Sequence, residues 1–288
     1  MITNRNAIEN ACFDVTTEPI YGTTESGLAV ALPGIEDWRA VVRKEDRQVL
    51  GVSTTKYGIL PNKDAFNMVF DAIDQIGLDA SLIDVSVNGR MSRVRATLEF
   101  PSVVVDPGDG HNLRYRAVIQ NSYDGSTLFG FQHGAFRLIC TNGMMIGTVM
   151  EEFRRRHTEN LAIGFEEVVR RFEQIVANAP GMILSSVKPF LETSPKLSAE
   201  ELAVFLLNDA KIPTKYVAPF VTDNASKRLV AWWDAYNAFT DMITHDTKGK
   251  ASSFRKDQLL GNVHGLLTRL VGQDRDQSLK QIAKLQAA

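Results

Sequence analysis

Asn121-Ser122-Tyr123-Asp124-Gly125-Ser126 is followed, after ten residues, by Arg137-Leu138-Ile139-Cys140-Thr141-Asn142-Gly143-Met144. The first segment is a tight polar turn between two runs of alternating apolar residues. Such alternation on both sides of a turn marks strands of a meander. Just before the turn, Leu113, Tyr115, Ala117 and Ile119 share one face, and Arg114, Arg116 and Gln120 the other, because strand side chains alternate. Further back, beyond a loop over 101–112, Val94, Ala96, Leu98 and Phe100 oppose Arg93, Arg95, Thr97 and Glu99. Asn88-Gly89 is a hairpin signal that leads back to Ile83, Val85 and Val87. Leu128-Phe129-Gly130-Phe131 continues the pattern forward. The spacing therefore predicts an antiparallel meander over 81–131. It should pack on a helix over 62–76, where Phe66, Val69, Phe70, Ile73 and Ile76 recur at helical spacing, Asn62 is the N-cap candidate and Gly77 the stop.

The flanks fill in the architecture. Residues 1–60 carry short mixed runs, with strands expected over 27–31 and 49–54 and an ambiguous stretch over 35–42. Beyond Glu151 the period changes to helical: Phe165, Val168, Val169, Phe172, Ile175 and Val176 form one stripe, which Pro180-Gly181 should break. Ser198 with Glu201 reads as a capping box, and Pro213 and Pro219 should interrupt again. Two further helices are marked by Leu229, Trp232, Trp233, Tyr236, Phe239 and Ile243, and by Leu259, Leu260, Val263, Leu266, Leu267 and Leu270. The fold class is α+β, an antiparallel β-meander packed on helices with a mainly helical C-terminal half. The expected division is 1–150 and 151–288.

Composition narrows the function. A 44% hydrophobic, 23% charged chain of 288 residues can bury a sizeable core. With 32 Lys+Arg against 34 Asp+Glu, bulk charge cannot hold a nucleic acid, so any such site is a local patch. Two cysteines, Cys12 and Cys140, give neither a disulfide framework nor a metal cluster. The N-terminus lacks an apolar signal core and no apolar run approaches a membrane span, which places the protein in the cytoplasm with no membrane partner.

The arginines carry the strongest hint of function. Arg93 with Arg95, and Arg114 with Arg116, share strand faces, and Arg90 and Arg137 extend the set, in a stretch without lysine between Gln75 and Glu151. Guanidinium groups bind phosphates in a fork and stack on bases. The competing reading is a solvated polar face partly neutralised by Asp84 and Glu99. Arg154-Arg155-Arg156-His157 reads as a solvated turn, paired locally with Glu151 and Glu152. Asn121, Tyr123, Asp124 and Ser126 are turn residues first and a binding loop second. His111, His133, His157, His245 and His264 lack zinc-site spacing, and Cys140 follows an apolar pair as a buried, inert thiol would. No catalytic residue, metal or cofactor is assigned.

Three blocks resemble the phage/plasmid-like family catalogued as domain of unknown function 932. They are Leu50-Gly51-Val52-Ser53 through Tyr57 with Pro61-Asn62-Lys63-Asp64-Ala65-Phe66, then the Asn121-Ser126 and Arg137-Gly143 motifs, and then Trp233-Asp234-Ala235-Tyr236-Asn237-Ala238-Phe239-Thr240 near His245. Tyr123 stands where the family frequently has His, and Thr244 where it often has Asp. The resemblance implies DNA metabolism of a mobile element, or conflict with a host. The succession of helix, meander and long helix also resembles single-strand annealing proteins. The expected function is therefore non-enzymatic single-stranded DNA binding or annealing in recombination or replication, by a homo-oligomer. Its contacts would be Arg90, Arg93, Arg95, Arg114, Arg116, Tyr123 and Arg137, with Tyr123 available for base stacking. The alternative is a protein-interaction module acting on a host or phage partner, for example in counter-defence, through Trp232, Tyr236 and Phe239.

Overall fold

The computed structural model describes residues 2–31, 34–108, 110, 112–137, 153–155, 165–225, 231–246, 253–273 and 275–287. In chain order the strands are β1 (Ile2–Thr3), β2 (Val15–Pro19), β3 (Tyr21–Thr23), β4 (Ala29–Ala31), β5 (Trp38–Arg43), β6 (Val49–Thr54), β7 (Ala80–Val87), β8 (Arg93–Val105), β9 (Leu113–Ser122), β10 (Phe129–Arg137) and β11 (Phe153–Arg155). The helices are α1 (Asn62–Gln75), α2 (Phe165–Glu192), α3 (Ala199–Asn208), α4 (Thr214–Asn224), α5 (Trp232–Thr244), α6 (Ser253–Val271) and α7 (Arg275–Ala287), and a 3-10 helix spans Arg5–Ala11. The main sheet has the order β1-β7-β8-β9-β10-β11, beside a three-stranded sheet β2-β5-β6 and a hairpin β3-β4. The fold is α+β, as the two periodicities predict.

The meander forms where the alternation places it. β7 and β8 pair antiparallel, with Val85 opposite Ala96 and Val87 opposite Val94. One feature of the prediction needs correction. The polar face of β8 is not a solvated face: Arg95 and Glu99 are each 7% exposed and Thr97 is 4%. Both sides of the strand are covered. The first half of the Arg154-Arg155-Arg156 run is also not a turn, because Arg154 and Arg155 lie in β11, opposite Gly130 and Phe129. Cys140, Arg156 and His157 fall outside the described residues.

α1 buries Phe66, Val69, Phe70 and Ile73 completely, each such burial contributing about 2 kcal/mol. Its N-cap is Pro61, in extended backbone, and not Asn62, which is the first helical residue. Gly77, at φ +69°, takes the left-handed turn that ends the helix. At the other end, Asn62 Nδ2 donates to the Ala11 carbonyl at 2.7 Å, fastening α1 to the 3-10 helix.

The chain forms two compact units, one of Met1–Ser102, Ala117–Gln132 and Glu151–Val176, the other of Val103–Arg116, His133–Met150 and Ala177–Ala288. In the first, Phe172 meets Phe100 and Phe131, with ring centroids 5.9 and 4.7 Å apart. The second is mainly helical. Ser198 and Glu201 form the expected capping box at the start of α3. Pro180 and Pro219 do not break their helices: α2 runs through Pro180 and Pro189, and α4 through Pro219. Each proline removes one backbone donor, a loss of about 3 kcal/mol, which apolar burial offsets at Ala179, Ile183, Val187 and Phe220. Trp232 and Trp233 are both 3% exposed, so both members of the pair lie in the core. Phe220 and Phe239 pack with tilted rings at 4.4 Å, and Trp233 lies parallel to Tyr236 at 5.9 Å.

One backbone approach in the first unit is closer than any side chain allows. A Cβ on Gly51 of β6 would lie 2.6 Å from Asp124 Cα and 3.0 Å from the Tyr123 carbonyl oxygen. Gly51→Ala should therefore cost about 1–3 kcal/mol, read as a lower urea midpoint. Gly89→Ala, with nothing within 4 Å of the added carbon, should show no such packing loss. Equal midpoints for the two variants would refute the close approach.

Candidate functional site

The Asn121–Ser126 motif is the polar centre of the first unit. Asn121 is fully buried at the end of β9, and its Nδ2 donates to the Leu60 carbonyl and to Asn62 Oδ1, each at 2.8 Å. Tyr123 is 1% exposed and packs with Val41 and Leu50. Its hydroxyl accepts from the Asn62 backbone N–H at 2.8 Å, a donor that the first turn of a helix leaves without an intrahelical partner. The Tyr57 hydroxyl donates to the Ser122 carbonyl at 2.8 Å, and burial pushes its pKa up to about 12. Gly125, at φ +69°, makes the reversal.

Asp124 is the acid of this motif. Its Oδ2 accepts from Ser92 Oγ at 2.6 Å and its Oδ1 from the Ser126 N–H at 2.9 Å. Partial burial pushes its carboxyl up, but hydrogen bonds from Ser126 and Ser92 outweigh this and hold the pKa below the usual value. A carboxylate held ionised by two donors fixes a turn and is a weak base. Because its folded pKa is depressed, Asp124 adds stability above the unfolded carboxylate pKa and loses it as pH falls through the folded value.

The arginines part company. Arg90 is exposed at the β7–β8 turn, and Arg93, Arg114 and Arg116 are partly exposed on β8 and β9, which are neighbours in the sheet. Arg95 is buried, with its guanidinium 3.0 Å from Asp84 Oδ2 on β7. The neutralised-face reading holds for Arg95. The side chain of Arg137 lies outside the described residues. Tyr123, expected to be free for stacking, has no exposed face; its ring is used in the core. The aromatic face of α5 needs the same correction: Trp232, Tyr236 and Phe239 are 3%, 1% and 0% exposed, because that stripe is the core of the helical unit. Exposed apolar side chains lie elsewhere, among them Tyr21, Leu28, Val30, Trp38, Val49 and Val52 in residues 1–60, and Leu184 and Leu279 on the helices.

His264, which has no motif in the sequence, holds a central place in the helical unit. It is 7% exposed on α6, with Tyr236 OH 3.3 Å from Nδ1 and Thr268 Oγ1 3.4 Å from Nε2. The rings of Phe190 and Tyr236 flank it. Burial lowers its pKa to about 4. Among the described residues no group of three or more His, Cys, Asp or Glu side chains is placed to hold a metal, and no helix is long and apolar enough to cross a membrane.

The molecule is thus an α+β protein in which the segments around Gly51 and Asn62 and the Asn121–Ser126 motif meet at a buried polar joint. The sequence model of the family described as Domain of unknown function (DUF932) matches residues 49–282, and the chain belongs to that family. Neither a curated protein nor a solved structure matches the chain.

Two measurements check this geometry. Tyr123→Phe should leave the Asn62 N–H buried without its acceptor, costing about 1–3 kcal/mol, whereas Tyr123 stacked on a ligand in solvent would be replaced by Phe at no cost to stability. His264 has a folded pKa of about 4 against an unfolded 6.5, so the unfolded chain holds the proton more tightly. Its contribution is full above pH 6.5 and is lost as pH falls toward 4, by about 2 kcal/mol between pH 7 and pH 5. Urea unfolding of His264→Gln should lack that component; an unchanged pH slope would contradict the buried neutral imidazole.

Proposed function

We propose that the protein binds single-stranded DNA without catalysing a reaction on it, in recombination or replication of a phage or plasmid. The observation that supports this reading is the arginine use on two neighbouring strands. Arg93, Arg114 and Arg116 are partly exposed in a stretch that contains no lysine. Arg90 joins them at the turn. Forked guanidinium groups recognise phosphate oxygens with a geometry that lysine lacks. The buried state of Tyr123 and Arg95 removes both from the contact set, so binding rests on phosphate and carries little sequence preference.

Salt titration reads the contacts directly. Each phosphate contact on a single strand adds about 0.7 to the slope of log affinity against log salt. Arg114→Gln with Arg116→Gln should flatten that slope by about 1.4. Arg95→Gln should do the reverse, keeping the slope and lowering stability, because its charge is already answered by Asp84. A parent protein that retains no oligonucleotide at low salt rules the reading out.

A second reading, a protein-interaction surface that includes self-association, is favoured by the exposed apolar residues of the first unit. Tyr21, Leu28, Trp38, Val49 and Val52 are 42–68% exposed. Trp38 and Val52 share one face of the three-stranded sheet, since Ala40 lies opposite Val52 and Trp38 is two residues before Ala40. Grouped apolar exposure marks contact surfaces. Trp38→Ser with Val52→Ser should lower the mass seen by light scattering to that of one chain; a monomeric parent refutes self-association.

A further inference from the structure

A cleft of about 450 Å³ opens between two helices of the helical unit. Ser185, Ser186, Pro189 and Phe190 of α2 form one wall, and His264 and Thr268 of α6 the other. Its size is that of small-molecule sites, roughly 300–1,000 Å³. Among the described residues no charged side chain lines it. A phosphate, carboxylate or ammonium group would therefore lose its hydration there without an ionic partner.

The polar atoms define the ligand further. Ser185 Oγ and Ser186 Oγ both donate to the Met182 carbonyl, at 2.8 and 3.0 Å. Each hydroxyl has a single proton, so what each retains is acceptor capacity. Among the described residues the polar contacts of the His264 imidazole are the 3.3 and 3.4 Å ones to Tyr236 and Thr268, longer than the roughly 2.7–3.2 Å of strong bonds. A purely apolar ligand would leave these acceptors unmatched, and a purely polar one would gain nothing from Pro189, Phe190 and Val271.

We propose that this cleft binds a small, uncharged, planar heterocycle carrying N–H donors, the chemical class of a free nucleobase. Its flat face lies against Pro189 and Val271, and its N–H groups donate to the hydroxyl oxygens of Ser186 and Thr268. His264 is neutral at pH 7, since burial holds its pKa low, and so can give or take one hydrogen bond at the ligand's edge. The site is separate from the arginines of β8 and β9. A free base carries no phosphate, so its binding and the binding of a DNA strand succeed or fail independently.

Adenine is the test probe, and caffeine, a purine whose N–H groups are methylated, the comparison. Both are titrated into the full chain and followed by ¹H–¹⁵N spectra of the His264 ring and by tryptophan fluorescence, since Trp233 lies on Tyr236. Saturable adenine-dependent shifts of the His264 nitrogens are expected, with caffeine at the same concentration giving none. Ser186→Ala with Thr268→Val should weaken adenine about tenfold, the worth of roughly one hydrogen bond, at unchanged melting temperature. The proposal is overturned by an adenine titration flat to its solubility limit, by caffeine binding as well as adenine, or by a double variant that binds like the parent.

Discussion

Two buried primary amides hold the first unit together. Asn62 is 2% exposed and Asn121 fully buried, and an amide taken from water without partners costs several kcal/mol. Here the donors are matched. Asn62 Nδ2 reaches Ala11, and Asn121 Nδ2 reaches both Leu60 and Asn62. The bonds therefore join the end of the 3-10 helix, the start of α1 and the end of β9, segments more than 50 residues apart. Gly51 adds β6 to the same joint by letting the Tyr123–Asp124 backbone press against it. The segments around Gly51 and Asn62 and the Asn121–Ser126 motif, separate in the chain, are thus one physical object. Their donors are answered by one another, with Asp124 held by Ser92 and Ser126, while Asn121 Oδ1 is buried without a hydrogen-bond partner among the described residues. Motif residues committed in this way are structural, and chemistry with an outside molecule falls to other side chains.

That commitment shapes the electrostatics too. Arg5 faces Asp71 and Asp74, Arg43 faces Asp46, Arg47 faces Glu18, and Arg269 faces Asp209. Such surface pairs contribute about 0–1 kcal/mol each, so a phosphate can displace one at small cost. Arg95 differs, because its side chain is 8% exposed. Removing Asp84 would take one partner from a buried charge, which costs more than losing a surface pair. Burial, and not the number of arginines, decides which of them can answer a polyanion.

The meander, α1 and the helical half were legible because hydrophobic period reports which face is covered. What failed was every inference that needed a distant partner. Asn62 sits where a cap belongs by local rules, yet its side chain is taken by Ala11. Tyr123 sits in a polar turn, yet its ring is drawn in by Val41 and Leu50. Arg95 alternates outward on β8, yet that outward face is covered as well. Pro180 lies inside α2 because propensity is a weak prior against tertiary packing. His264 carried no signal at all, since a single histidine on an apolar stripe looks the same whether or not a cleft opens beside it.

The apolar residues divide by unit in a way that bears on what each does. The helical unit encloses its large aromatics, and its open space is a polar-lipped cleft. In the first unit, β3 and β4 form a hairpin of their own, with Tyr21, Leu28 and Val30 exposed around it. A two-stranded hairpin is marginal in water unless its apolar side chains find a cover. It lies ahead of residue 49, where the family match begins. The joint of Gly51, Asn62 and Asn121 needs nothing from it for its hydrogen bonds. A hairpin that leaves the fold's central bonds untouched and keeps apolar residues in solvent is the part of the first unit whose stability depends least on the joint and most on whatever covers its apolar side chains.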